Sequence, residues 1–151
     1  MCSIDLLIPQ TDTMRLVDEF ISFNNEIIHC RSTIRENNLF FIEKTNSIPH
    51  WVSIEMMAQT SAVYSKVNNP DPCIKPSIGF LLSIRKYKTS IKEYKLGNTL
   101  DIFAECIVLD KGTGVFNCKV KLNNSIVATV TMNAYQPEDI NDTKKILKRG
   151  F

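Results

Sequence analysis

Glu55 and Gln59 are the two residues of this sequence whose types and spacing best suggest chemistry. Residues four positions apart lie on the same face of a helix, so both side chains would point the same way. The residues around them are mostly apolar, and a charged side chain is rarely buried without a partner or a purpose. Burial would favour the neutral form of the Glu55 carboxyl and fit it to exchange a proton near neutral pH. A structural glutamate bonded to Gln59 or to a loop is the alternative, and the spacing alone leaves both open.

The other candidates for chemistry are five scattered cysteines and two histidines. The cysteines contain no Cys-x-x-Cys pair, so we expect no metal site. Cys106 and Cys118 fall among alternating apolar residues and are interpreted as core side chains. His29 lies inside a strand-like segment and is interpreted as a strand residue, whereas His50 directly precedes the predicted helix and is a candidate catalytic residue.

One helix is predicted to carry Glu55 and Gln59, from about Trp51 to Asn68. Pro49 marks its start, and the prolines within residues 68–72 end it because proline cannot continue helical hydrogen bonding. Apolar side chains occupy most of its circumference, which is typical of a helix buried on most sides.

Six segments with strand-like patterns flank this helix. They cover approximately Arg15–Ser22, Glu26–Ile34, Ile78–Ile91, Leu100–Asp110, Val115–Leu122 and Ser125–Tyr135. Phe23-Asn24-Asn25 is predicted to turn the chain between the first two strands, and Asn123-Asn124 between the last two. Residues 37–49 show no clean period and are predicted to be a loop. In the last strand, alternate residues from Ile126 to Ala134 are predicted to face one side.

A strongly curved antiparallel sheet can bury its concave face only against something apolar, and the predicted helix is long enough to serve. This pattern predicts an α+β hot-dog fold, a curved antiparallel sheet of about six strands wrapped around one long central helix. No repeat or linker divides the chain, so we expect a single domain over residues 1–151 with a C-terminal tail from about 138 to 151. Edge strands expose unpaired backbone groups, so we expect a homodimer or a heterodimer.

The composition argues against nucleic acid and membrane partners and is compatible with an acidic protein partner. A net charge of +2 is too small to argue for nucleic acid. The first residues do not resemble a signal peptide and no apolar run reaches membrane-spanning length, so we expect a cytoplasmic protein without a membrane partner. The basic cluster Arg85, Lys86 and Lys88 could meet an acidic protein.

Four stretches of the sequence resemble the hot-dog 3-hydroxyacyl-acyl-carrier-protein dehydratases. They are Ile48–Gln59, where an acidic residue is followed by Met-Ala-Gln, then Ile8–Asp18, Ile78–Tyr87 and Tyr135–Asp139. The last two are most similar to the branch associated with aryl polyene biosynthesis. The resemblance covers about residues 6–139.

The resemblance implies a dehydratase of fatty acid or aryl polyene biosynthesis. Such an enzyme eliminates water from a 3-hydroxyacyl thioester, carried on the phosphopantetheine of an acyl carrier protein, and gives a trans-2-enoyl thioester without a further cofactor. In the family, a histidine and the helix carboxylate move the protons. Glu55 matches the carboxylate. The backbone N–H of His50 occupies the place where the family usually has glycine, at a helix start that can stabilise a carbonyl oxygen.

The resemblance also implies roles in binding. Gln59, Gln10 and Gly79 are the expected substrate-binding residues. The acyl carrier protein is the expected partner, and the basic cluster at residues 85–88 is expected to dock it.

The expected histidine is where this sequence departs from the family. Common dehydratases have it fourteen residues before the carboxylate, where this chain has Phe41. The aryl polyene branch usually has a histidine in its Pro-His opening, where this chain has Gln10, and neither side chain titrates. Three hypotheses follow: a dehydratase in which Glu55 acts with His50, a water or a partner's histidine; an impaired subunit that supports an active dehydratase; or an acyl thioesterase.

Overall fold

The structure, a computed structural model, describes residues 3–68, 79–137 and 148. Its regular elements are β1 (Glu19–Asn24), β2 (Ile27–Thr33), β3 (Ser47–Pro49), α1 (Val52–Asn68), β4 (Phe80–Thr89), β5 (Glu93–Lys95), β6 (Thr99–Asp110), β7 (Thr113–Leu122) and β8 (Ser125–Tyr135). Six strands form one antiparallel sheet in the order β1-β2-β6-β7-β8-β4, and helix α1 packs against it. The predicted hot-dog fold is confirmed. The predicted tail, residues 138–151, lies outside the described residues apart from residue 148.

Helix α1 forms the centre of the core, as its apolar circumference predicted. It begins one residue after Trp51 and ends at the predicted Asn68. Met56, Met57 and Val63 are completely buried against the sheet. Full burial of such side chains stabilises the fold by roughly 1.5–3 kcal/mol each, which is why a helix with this composition lies inside the sheet.

Two hairpins show how the asparagine turns form. Asn123 and Asn124 have φ angles of 51° and 64° and connect β7 to β8, as predicted. Between β1 and β2 the turn residues are Asn25 and Glu26, with φ of 50° and 64°, and the predicted turn at residues 23–25 is therefore displaced. Cross-strand pairing continues to the end of β1, since Phe23 pairs with Ile28 and its ring packs against the helix residue Tyr64.

The predicted loop at residues 37–49 contains a short strand that sequence periodicity does not reveal. Strand β3 pairs with β5 as a separate two-stranded sheet, in which Ile48 lies opposite Tyr94. Both side chains are completely buried, so tertiary packing fixes these three-residue strands. At the other end of the fold, the first predicted strand begins later than expected, at Glu19.

The alternation predicted for β8 fails at the start of the strand. Ile126 is 52% exposed, whereas its neighbour Val127 is buried. The pairing of β7 with β8 shifts between Val120 and Lys121, where β8 has the extra residue Val127, and this bulge changes which side chains face the core. From Ala128 onwards the even-numbered residues face α1, as predicted.

The buried cysteines behave as core residues. Burial raises the pKa of the Cys30 and Cys118 thiols to about 12. They therefore stay protonated at neutral pH and are poor nucleophiles. Cys106 is half-buried and packs against the core. In the described part of the chain, no helix is both long and apolar enough to cross a membrane.

Candidate active site

Glu55 lies in the first turn of α1, on the side of the helix that faces away from the buried methionines, and is half-buried. Its Oε1 accepts a hydrogen bond of 3.1 Å from the Nε2 of Gln59, one turn further on. Among the described residues, Oε2 takes part in no hydrogen bond. The carboxyl is thus held by one oxygen and leaves the other available to a ligand.

Gln59 is completely buried and ties the helix to the N-terminal segment. Its Oε1 accepts a hydrogen bond of 2.9 Å from the backbone N–H of Leu16, and its Nε2 donates to the carbonyl oxygen of Met14 at 2.8 Å. Because the backbone of residues 14 and 16 fixes the Gln59 amide, the hydrogen bond from that amide holds Glu55 in place. It does not line the cavity described next.

A cavity of about 640 Å³, here called the main cavity, runs along the exposed side of α1. Its helix side carries Glu55 and then the small residues Ala58, Ser61 and Ala62. The facing walls come from the start of β4, the β6–β7 hairpin, the end of β8 and the N-terminal segment. Glu55, Gln10 and Gly79 all line it, so the fold brings together three residues that are far apart in sequence.

Gln10 contributes an unsatisfied polar atom to this cavity. Its Oε1 is buried and has no hydrogen-bond partner among the residues that the structure describes. A buried acceptor without a donor costs about 1–3 kcal/mol, so the position favours a ligand that can donate a hydrogen bond. This is also the position where the resemblance to the aryl polyene branch leads one to expect histidine.

His50 lies outside the main cavity, and its Nδ1 and its backbone N–H both have partners elsewhere. Its Nδ1 is 2.9 Å from the hydroxyl of Tyr87, and the two rings stack at 5.8 Å. Its backbone N–H donates to the carbonyl oxygen of Lys92 at 3.0 Å, so the N–H expected to meet the substrate carbonyl already has an acceptor. The structure does not bring His50 next to Glu55 within this chain.

His29 and Phe41 make structural contacts and do not replace the expected catalytic histidine. The Nε2 of His29 is 2.8 Å from Asp101, and its ring stacks on Phe103, as expected of a strand residue. Phe41 is half-buried and packs against the core. Neither residue lines the main cavity.

The basic cluster is exposed on β4. Lys86 and Lys88 line a second groove of about 360 Å³, together with Lys119 and Phe103 on neighbouring strands. Lys119 and Phe103 alternate with residues that face α1, so this groove lies on the outer face of the sheet. Arg85 donates to the side-chain oxygen of Asn133 at 3.3 Å.

Sequence reasoning missed the aromatic wall of the main cavity. Tyr64 and Phe116 line it, and so do the glycines of the β6–β7 hairpin, Gly112 and Gly114. The spacing of Ala58 and Ala62 on one helix face was the available signal, because small residues one turn apart leave room beside a helix.

The fold defines a class of protein, the hot-dog domains. Among solved structures, a chain of the ApeI:P dehydratase heterocomplex from Xenorhabdus doucetiae is 24% identical, with a TM-score of 0.87 over 97% of this chain and 98% of that chain. A hypothetical thioesterase with coenzyme A from Streptococcus pneumoniae TIGR4 is 14% identical, with a TM-score of 0.59 over 78% and 84%. The PaaI protein of the E. coli phenylacetic acid degradation operon is 13% identical, with a TM-score of 0.59 over 78% of both chains.

The sequence comparison gives the family. Residues 2–147 match the ApeP-like family, described as ApeP dehydratase, and the chain belongs to this family. The predicted resemblance to dehydratases of the aryl polyene branch is confirmed. A comparison with curated protein sequences gives no match.

Proposed function

We propose that this chain is a subunit of a cytoplasmic 3-hydroxyacyl-carrier-protein dehydratase, and that it provides Glu55 while a related partner subunit provides the histidine. The proposal rests on which residues line the main cavity. Glu55 lines it, whereas Gln10 takes the place of the family histidine and His50 lies elsewhere. Among the described residues that line the cavity, Glu55 is the one carboxyl and there is no imidazole, and elimination needs two proton-transfer groups.

The proposed reaction removes water across two neighbouring carbons. A base takes the proton from the carbon next to the thioester carbonyl. The electron pair of the broken C–H bond forms the new double bond. The bond from the next carbon to its hydroxyl breaks, and an acid protonates the departing oxygen to give water. We assign Glu55 to the hydroxyl, because its Oε2 is available and Gln59 fixes its Oε1.

Gln10 has a positioning role in this proposal. Its unsatisfied Oε1 can accept a hydrogen bond from the substrate hydroxyl or from an amide N–H of the phosphopantetheine arm. Glutamine cannot remove a carbon-bound proton, so in this proposal the base is the histidine of the partner subunit.

The sheet edge supports assembly with a second subunit. Strand β4 ends the strand order and, among the described residues, pairs with β8 alone. It exposes Leu81, Leu82 and Ile84, which are 41–49% exposed. An unpaired edge with exposed apolar side chains is a surface for another sheet. The same strand begins at the main cavity, so a subunit seated there would lie beside Glu55.

The expected carrier protein is assigned to the outer groove. Lys86, Lys88 and Lys119 line it, and none of the three has an ion pair in the described part of the chain. Acidic protein surfaces are attracted to such a cluster.

The decisive experiment measures dehydration of a 3-hydroxyacyl-carrier-protein by mass spectrometry. The full chain alone, a related dehydratase from the same organism, and their mixture are compared. We expect little enoyl product from the chain alone and strong product from the mixture. Glu55→Gln should reduce the activity of the mixture about 10²-fold or more.

Glu19→Gln is the matched control, because Glu19 is an exposed carboxylate on β1. Full activity of the chain alone that survives His50→Ala would overturn the proposal. Release of free acid without enoyl product would favour the thioesterase hypothesis.

A further inference from the structure

The main cavity continues well beyond Glu55. From Glu55 to Tyr64 the helix axis rises about 14 Å. Between them the helix presents only small side chains, Ala58, Ser61 and Ala62, to the cavity. Nine residues also turn the helix by about two and a half turns, so the path that these small side chains leave for a slender apolar chain runs obliquely across the helix.

The path has an open side and a closed side. Leu81 and Leu109 line the cavity and are 41% and 55% exposed, so the opening lies beside them. Tyr64 and Phe116 also line it, but they are only 8% and 5% exposed. Their rings meet edge to face, with centroids 5.8 Å apart and planes at 75°, which is a favourable aromatic contact. The pair forms the inner wall.

Tyr64 is held from behind by groups outside the cavity. Its hydroxyl donates a hydrogen bond to the carboxylate of Glu26, at the β1–β2 turn. That hydrogen bond, together with burial, holds the pKa of the Tyr64 phenol above its usual value. Phe23 packs against the ring edge to face at 5.8 Å. The ring therefore has fixed neighbours on the side opposite the cavity.

Phe116 is placed by Gly114. A Cβ at position 114 would lie 2.6 Å from Cε2 of the Phe116 ring, which is closer than real Cβ contacts. The φ angle of Gly114 lies outside the left-handed region, so the glycine is required for space rather than for its backbone conformation. Any side chain at this position would displace the wall.

We propose that the Tyr64–Phe116 pair is the stop that limits the length of the acyl chain accepted in the main cavity. The stop acts by excluded volume, and Glu26 and Gly114 fix its position from outside. This inference rests on the proposed function, since it assumes that the cavity holds the acyl part of a thioester. It predicts that chain length depends on the volume at the wall and along the helix side.

The test is a set of binding measurements by calorimetry. The full chain is titrated with straight-chain acyl-pantetheine thioesters of increasing length. Wild-type affinity should rise with length and then fall once the chain reaches the stop. Ala62→Leu should move this limit to shorter chains, with at least a tenfold loss of affinity at the wild-type optimum. Phe116→Leu should move the limit to longer chains.

Phe20→Leu is the matched control, because Phe20 is a half-buried phenylalanine that packs on the same core without lining the cavity. Circular dichroism verifies that each variant is folded. An unchanged limit in both Ala62→Leu and Phe116→Leu would overturn the inference alone. If the wild type binds no acyl-pantetheine of any length, both this inference and the proposed function are wrong.

Discussion

Gln59 lies one helical turn beyond Glu55 and donates a hydrogen bond of 3.1 Å to its carboxylate, while the same amide bonds the backbone of residues 14 and 16. The orientation of the candidate catalytic group therefore depends on how the N-terminal segment packs on α1. Gln10, on the same segment, reaches the same cavity. The segment thus both orients the carboxylate and supplies a wall of the site.

Replacing Gln59 should destabilise the fold. In Gln59→Leu, the N–H of Leu16 and the carbonyl of Met14 lose their partners in a buried place. Each of the two unsatisfied groups costs about 1–3 kcal/mol, so the free energy of unfolding should fall by about 2–6 kcal/mol. Urea denaturation followed by circular dichroism measures the change. A loss below about 1 kcal/mol would show that these hydrogen bonds do not organise the segment.

Restoring a histidine at position 10 should create activity in the isolated chain. Gln10 lines the main cavity with Glu55, so an imidazole there can take the proton that glutamine cannot. Gln10→His should raise the dehydration rate of the chain alone by about 10²-fold or more, which is the usual scale of general base catalysis. The same assay with Gln10→Asn serves as control. No gain in a folded Gln10→His protein would argue that the partner's base acts from another side.

Charge reversal in the outer groove should weaken binding of the carrier protein. Lys86 and Lys88 line this groove, so Lys86→Glu with Lys88→Glu should raise the Kd at low salt by about tenfold or more. The difference from wild type should shrink as salt is added, because exposed charges are screened. Lys44→Glu is the control, since Lys44 is an exposed lysine outside the groove. Equal affinities at low salt would exclude docking at this groove.

Asp101 should make the stability depend on pH. Burial opposes its ionised form, but hydrogen bonds from His29 and Arg31 outweigh burial and lower its pKa below the ordinary 3.8. A folded-state pKa below the unfolded one gives stability that is present above the unfolded value and is lost as pH falls through the folded one. At pH 7, Asp101→Asn should therefore lower the free energy of unfolding by about 0.5–1 kcal/mol, since the group is partly exposed.

Denaturation measured at several pH values tests whether the effect comes from the charge of Asp101. Denaturation of wild type and Asp101→Asn should converge once the pH falls below the folded pKa of Asp101. A difference that stays constant into strong acid would mean that the substitution acts through packing and not through the charge.

The central helix, the four long strands that follow it and the carboxylate could all be predicted from the sequence. These features follow from local pattern: a helix apolar on most sides needs a sheet around it, and alternating strands with asparagine turns supply one. The family was also predicted from motifs around Gln10 and Glu55, and the match over residues 2–147 confirms it.

Which of these residues meet could not be predicted in this way, because it depends on tertiary packing. Gln10 and Gly79 join Glu55 in one cavity, and His50 is turned toward Tyr87 instead. The inner wall pairs Tyr64 of the helix with Phe116 of β7. Such contacts join positions far apart in the chain, so no local period encodes them. They are set by strand register and by the volume that each side chain finds when the sheet closes on the helix.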